Sequence, residues 1–278
     1  MRCKVIPRPL THIHKLLPHF QVSTLTSTTH RSASSLTKSA VATTRTAGLI
    51  GGFSWQTTAI YYEEINKHVN AKRGGIHSAN LLIRSIDYED LASLVAAKDY
   101  VGMTRLLCQC GMELRAANAQ ALVLCANIVH KAAEQLEETT GLPVLHIVDF
   151  TARQIVDQGF KKVGLLATRA VMEEDFYIRR LQRFGLEVVV PNSEFRADAD
   201  RMIFQDMSKP EIPAPVKARW RSAYQDLLSD HQVDCIILGC TELRLVFGPE
   251  DLRAPTFETT TLHARGIAEW VLGHEGSS

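Results

Sequence analysis

Ala121-Leu122-Val123-Leu124-Cys125-Ala126-Asn127-Ile128-Val129-His130 and Cys235-Ile236-Ile237-Leu238-Gly239-Cys240-Thr241-Glu242 share one pattern: a four-residue apolar run, a small polar cluster, then a helix-like stretch. Runs this short and this apolar read as strands buried on both faces of a parallel sheet. Each polar cluster then falls at a strand's carboxyl end and a helix's amino end. Open α/β sheets bind ligands there, because backbone N–H groups and the helix dipole favour an anion. The chain builds one site twice.

Working outward, further apolar runs occur at Gly48-Leu49-Ile50-Gly51, Asn80-Leu81-Leu82-Ile83, Pro143-Val144-Leu145-His146-Ile147, Lys162-Val163-Gly164-Leu165-Leu166, Leu186-Glu187-Val188-Val189-Val190 and near Thr256-Phe257, with amphipathic stretches between them. Alternation of this kind predicts eight strands in a parallel α/β protein. Equivalent strands recur at a nearly constant offset, 164 − 48 = 116 for Gly48 and Gly164, and 240 − 126 = 114 for Ala126 and Cys240. The expected architecture is therefore two similar lobes, each a roughly four-stranded parallel sheet flanked by helices, related by a pseudo-twofold with the active site between them. Residues 47–148 plus about 258–278 make the N-terminal lobe, and 149–257 the C-terminal lobe. Helical periodicity is clearest at 100–117, through Val101, Leu106, Met112 and Leu114, and at 214–229, through Val216, Trp220, Tyr224 and Leu227. Both stripes read as core. Gly141-Leu142-Pro143 stops a helix, and Pro210, Pro213 and Pro215 mark a loop.

Composition bounds the function. Of 278 residues, 45% are hydrophobic and 22% charged, ordinary for a globular protein, and no run approaches the roughly 20 apolar residues of a membrane span. The first 46 residues hold seven Lys or Arg, fifteen Ser or Thr and no acid, the first acidic residue being Glu63. That bias reads as an organelle transit peptide, plastid in preference to mitochondrion, or as a disordered tail. Leu16-Leu17-Pro18-His19-Phe20 is too broken for a secretory core. Without residues 1–46 the charge moves from 31 − 30 = +1 to 24 − 30 = −6, which removes the electrostatic basis for binding nucleic acid. Six cysteines in such a chain read as thiols, Cys108 and Cys110 as structural ones, and no Cys or His spacing suits zinc.

At these residues the sequence resembles the aspartate/glutamate racemase family. Gly51-Gly52-Phe53-Ser54-Trp55 with Tyr61-Tyr62 and Ile65-Asn66 is similar to the family's opening Gly-Gly-Met-Ser-Trp segment. Gly74-Gly75-Ile76-His77-Ser78, Ser85-Ile86-Asp87-Tyr88, Thr168-Arg169 with Met172-Glu173 and Phe176-Tyr177, Gly239-Cys240-Thr241-Glu242, and Phe257-Glu258-Thr259 with His263-Ala264 continue it. The resemblance covers nearly all of 47–273. It implies chemistry between two lobes, without pyridoxal phosphate or metal, on a small carboxylate or amino-acid substrate. Family members are commonly dimers or larger, so a homo-oligomer is implied.

In that chemistry two facing residues remove and return an α-proton. Cys240 is the candidate acid/base, since a thiol with a pKa of about 8.5 can be lowered at a helix N-terminus; the alternative is a small buried core residue. The first motif departs from the family's Cys-Thr-Asn-Thr-Met-His. Ala126 stands at the facing position, where a methyl exchanges no proton, and Ile128 replaces a carboxylate-holding Thr. The family's substrate-contacting Met is Phe53, and a polar contact after Asp87 falls at Val95. Cys125 is an alternative base, although adjacent residues at a strand end point to opposite sides. Asn127 and Thr241 are expected to hold the substrate carboxylate, Lys209 either to reach a distal carboxylate or to be solvated, and His130 to orient a ligand or decorate a helical turn. Three functions compete: an amino-acid racemase or epimerase, a one-base lyase or decarboxylase of the same superfamily acting on a less polar carboxylate, and a ligand-binding homologue that has lost catalysis.

Overall fold

The computed structural model describes residues 44–207, 209 and 211–274. The expected leader lies outside them as far as residue 43, as does Pro210. Arg45 and Thr46, expected in the leader, are bonded into the fold: Arg45 N–H donates to Val271 O (2.9 Å) and Thr46 N–H to Gln120 Oε1 (2.8 Å). No described helix is long and apolar enough to cross a membrane.

The first half runs β1 (Ala47–Gly51), α1 (Trp55–Arg73), β2 (Leu81–Ser85), α2 (Tyr88–Ala96), α3 (Tyr100–Ala116), β3 (Ala121–Leu124), α4 (Ala133–Thr140) and α5 (Ile147–Asp157). The second runs β4 (Lys162–Leu166), α6 (Arg169–Glu173), α7 (Asp175–Gln182), β5 (Glu187–Val189), α8 (Ser193–Arg201), α9 (Ala214–Ser229), β6 (Cys235–Leu238), β7 (Thr256–Glu258) and α10 (Thr259–Val271). The strands form two parallel sheets, ordered β2-β1-β3 and β5-β4-β6-β7. Each carries its own apolar cluster, and Ile128 packs against both.

Seven strands form among the described residues rather than eight. At Pro143–Ile147 the pairing reduces to a single parallel bridge between Leu122 and Val144, because His146 already caps α5 by accepting from Val148 N–H (3.2 Å). The stripe expected on α3 is rotated: Met103, Leu107, Cys110 and Leu114 are buried, whereas Val101 and Met112 are exposed. On α9 the expected Val216, Trp220, Tyr224 and Leu227 are all buried. Pro213 precedes that helix as its N-cap, but Pro215, expected in the loop, lies in its first turn, where proline's fixed φ and missing N–H are tolerated.

Strand register gives the repeat its geometric meaning. Ile50 pairs with Leu124 at the end of the β1/β3 ladder, and Leu166 with Leu238 at the end of β4/β6. The next backbone bonds also correspond, Cys125 N–H to Ile50 O (3.1 Å) and Gly239 N–H to Leu166 O (2.8 Å). Ala126 and Cys240 thus stand two residues past equivalent strand ends, on the same side of the alternation, while Cys125 matches Gly239 on the other.

Candidate active site

Behind those strand ends lies a cavity of about 570 Å3, bordered by Phe53, Ala126, Asn127, Ile128, Cys240 and Thr241 among others. A second hollow of about 490 Å3 lies against α8 and α9, near Pro191, Arg219 and His231, and contains neither motif. Most sequence-derived candidates therefore meet at one place. Lys209 does not: its ammonium is 2.7 Å from Asp206 Oδ1, and it is absent from the cavity wall. The chain leading into Asp206, Met202–Asp206, is a π-helical turn, and Phe204 and Gln205 of it, rather than Lys209, border the cavity.

Neither motif is followed directly by an α-helix. Ile128–Ala132 and Thr241–Leu245 are five-residue 3-10 segments, the second opened by Leu243 N–H donating to Cys240 O (3.2 Å). The expected lowering of the Cys240 pKa is reversed. The half-buried thiol donates to Glu242 Oε2 at 2.9 Å, and burial first, then the Glu242 carboxylate, pushes its pKa well above the usual thiol value. Cys240 is accordingly held as the thiol beside a built-in proton acceptor.

Glu242 Oε2 also accepts from Thr241 Oγ1 at 2.8 Å. With that proton committed, the 3.0 Å contact between Thr57 and Thr241 hydroxyls has Thr57 as donor, and the 3.1 Å contact between Ser54 and Thr57 has Ser54 as donor. A chain of hydroxyls thus leads from the start of α1 to the Glu242 carboxylate after β6. Ser54 does double duty, because its oxygen caps α1 by accepting Thr57 N–H.

On the same cavity, the first motif offers no exchangeable side-chain proton at 126. Cys125 borders the same cavity but is fully buried, and burial drives its thiol far above the ordinary range. Asn127, expected to hold a carboxylate, is largely engaged by other elements: Nδ2 donates to Thr259 Oγ1 (3.1 Å) and Oδ1 accepts from Tyr177 OH (3.0 Å). One amide N–H remains for a ligand. His130 is buried beneath the motif, where Ile147 N–H donates to its Nε2 (3.2 Å), so its Nδ1–H donates to Ala126 O (2.8 Å). It fixes the loop that carries Ala126 and does not reach the cavity wall.

Sequence reasoning left other wall residues unassigned. Tyr88 and Leu91 of α2 form one side, beside Val95, the position expected for a family polar contact, and Thr168 and Asp200 form another. Glu242 was within reach of sequence reasoning, two residues from the thiol; Asp200 was not, since only the packing of α8 beside α6 brings it there. Among the described residues, no cluster of three His, Cys, Asp or Glu side chains is arranged to hold a metal ion.

Comparison with known proteins follows the same lines. The model of the Asp/Glu/Hydantoin racemase family matches residues 50–267. A crystal structure from Yersinia pestis, assigned as an Asp/Glu racemase, is 39% identical, with 82% of this chain and 99% of that chain covered and a TM-score of 0.77. An aspartate racemase homologue from Pyrococcus horikoshii OT3 is 27% identical over 82% of this chain and 99% of its own, with a TM-score of 0.69. The broad specificity amino-acid racemase RacX of Bacillus subtilis (strain 168) is 23% identical over 177 residues, 64% of this chain and 76% of RacX.

Proposed function

The chain belongs to the Asp/Glu/Hydantoin racemase family, and from that premise we propose that it is an amino-acid racemase working without pyridoxal phosphate, with Cys240 and Glu242 moving the α-proton as one couple. The observation that carries this reading is the 2.9 Å contact of the Cys240 thiol with Glu242, set at the strand end equivalent to that of Ala126 on a shared cavity.

In the proposed cycle the thiol proton passes to the Glu242 carboxylate, and the thiolate removes the proton from the α-carbon. The electron pair left on carbon delocalises into the substrate carboxylate. The remaining Asn127 N–H and backbone N–H groups at the two 3-10 segments stabilise that developing charge, the kind of fixed-dipole assistance on which such reactions depend. Return of the proton from Cys240 restores the starting enantiomer. Inversion needs delivery from the opposite face, where Ala126 presents a methyl and solvent must serve.

Exchange of the α-proton should therefore outrun inversion. Incubation of purified protein with single enantiomers in D2O, followed by NMR and chiral chromatography, is the test, and Ala126→Thr should raise inversion relative to exchange. Absence of α-deuteration across acidic, neutral and basic amino acids would refute the racemase reading. The missing facing base also favours a second reading, a one-base lyase or decarboxylase, which predicts carbon–carbon or carbon–heteroatom cleavage of a carboxylate substrate, abolished by Cys240→Ala, with no exchange into amino acids.

A further inference from the structure

The cavity wall contributed by α8 and by the end of β4 holds two polar groups that the proton-transfer couple does not use. Asp200 is half-buried on α8 and borders the cavity. Its Oδ1 accepts Arg169 N–H at 2.8 Å, and it forms no ion pair among the described residues. The neighbouring guanidinium groups are spoken for: Arg169 and Arg196 bind Glu173, and Arg201 binds Asp198 and Asp206. Burial pushes the Asp200 carboxyl upward, outweighing the lowering by the Arg169 N–H and guanidinium. One residue before Arg169 stands Thr168, only 6% exposed, whose hydroxyl is shut off from solvent and has no hydrogen-bond partner among the described residues, although Thr168 borders the same cavity. Among the described residues only Oδ1 of Asp200 is engaged, by the Arg169 N–H, and a desolvated carboxylate with its second oxygen unpaired on a cavity wall calls for a donor from the occupant.

Other wall residues narrow that occupant. Phe53, Leu91, Val95, Ile128 and Phe204 make an apolar passage suited to methylenes. Lys209, the group that would have received a negatively charged side chain, is paired with Asp206 outside the wall. Lys98 and Arg201 do border the cavity, but Lys98 is exposed, in a left-handed turn after α2, where water solvates its ammonium, and Arg201 is paired with Asp198 and Asp206.

We propose that the amino acid taken by this site carries an aliphatic side chain ending in an ammonium or guanidinium group, received by the Asp200 carboxylate. The assignment deepens the racemase reading and rests on it for the placement of the α-carbon at Cys240. It differs from that reading in its test, which is binding. Titration calorimetry of the full chain with lysine, ornithine and arginine should give affinities at least roughly tenfold above norleucine, the value of one charge-assisted hydrogen-bonded pair, and above glutamate. Asp200→Asn keeps an oxygen for Arg169 N–H, and should lower the lysine-to-norleucine affinity ratio about tenfold. Norleucine or glutamate binding as tightly as lysine, or a ratio unmoved in Asp200→Asn, overturns the assignment. Tight lysine binding without α-deuterium exchange upholds it while refuting the racemase reading.

Discussion

Cys240 and Glu242 form a pair whose members can be separated by experiment. Burial and the neighbouring carboxylate both raise the thiol, so Glu242→Gln, which removes the second cause and leaves the first, should move its ionisation to lower pH. Alkylation of Cys240 by iodoacetamide, followed by peptide mass spectrometry against pH, should then proceed faster near neutrality in the variant. Exchange of the α-proton should nevertheless slow, roughly 100-fold if Glu242 acts as a general base. Faster alkylation with unchanged exchange would leave Glu242 a purely electrostatic neighbour. At this scale the sequence showed which residues meet, since Cys240 follows its strand at the same interval as Ala126. The sign of the thiol's shift lay beyond it, because it depends on the rotamer that places Sγ 2.9 Å from Oε2.

At the scale of elements, the site is a meeting of strand ends held together by polar ties. Asn127 is the clearest tie, bonded to Tyr177 on α7 and to Thr259 at the start of α10. Asn127→Ala leaves a buried phenol and a buried hydroxyl short of a partner, and should destabilise the protein by about 1–3 kcal/mol, read as a lower denaturant midpoint at unchanged slope. The turn after β1 is equally constrained: Gly52 has φ +93, and a Cβ there would lie 2.1 Å from Ile86 O. Gly52→Ala should therefore cost clearly more than the ~1 kcal/mol of a simple glycine effect, and it should weaken substrate binding by displacing Phe53. Periodicity located the helices but rotated α3, since Val101 and Met112 are apolar residues left in solvent, which is common because polar surface alone does not cover a protein. The run 143–147 looked like a strand because apolar identity does not distinguish a short strand from a helix start; the cap at His146 decided it.

The whole molecule carries an acid-sensitive seam. His130, His146 and His263 cluster behind the first motif, with ring centroids 4.4 Å and 5.7 Å apart for His130 with His146 and with His263. Hydrogen bonds fix the His263 tautomer: Nε2–H donates to Leu145 O (2.7 Å), and Nδ1 accepts from Tyr61 OH (2.8 Å). Burial lowers all three, His263 to about 4. An unfolded histidine takes up its proton near pH 6.5, so between there and about pH 4 the unfolded chain binds more protons, and stability falls as the pH drops through that window. Thermal unfolding followed from pH 8 to pH 4 should show a flat Tm above about 7 and a steep decline below about 6.5. A Tm independent of pH across that range would contradict the neutral cluster. By itself the sequence determined the parallel sheets, the doubled strand-end motif and the equivalent placement of Cys240 and Ala126 past their strands, because those follow from apolar runs, their lengths and a constant offset. Only the tertiary structure decided that the thiol is raised, that Asn127 and Lys209 are engaged elsewhere, and that Asp200 and Thr168 border the cavity. Partners, burial and charge neutralisation are properties of residues that packing brings together from distant parts of the chain.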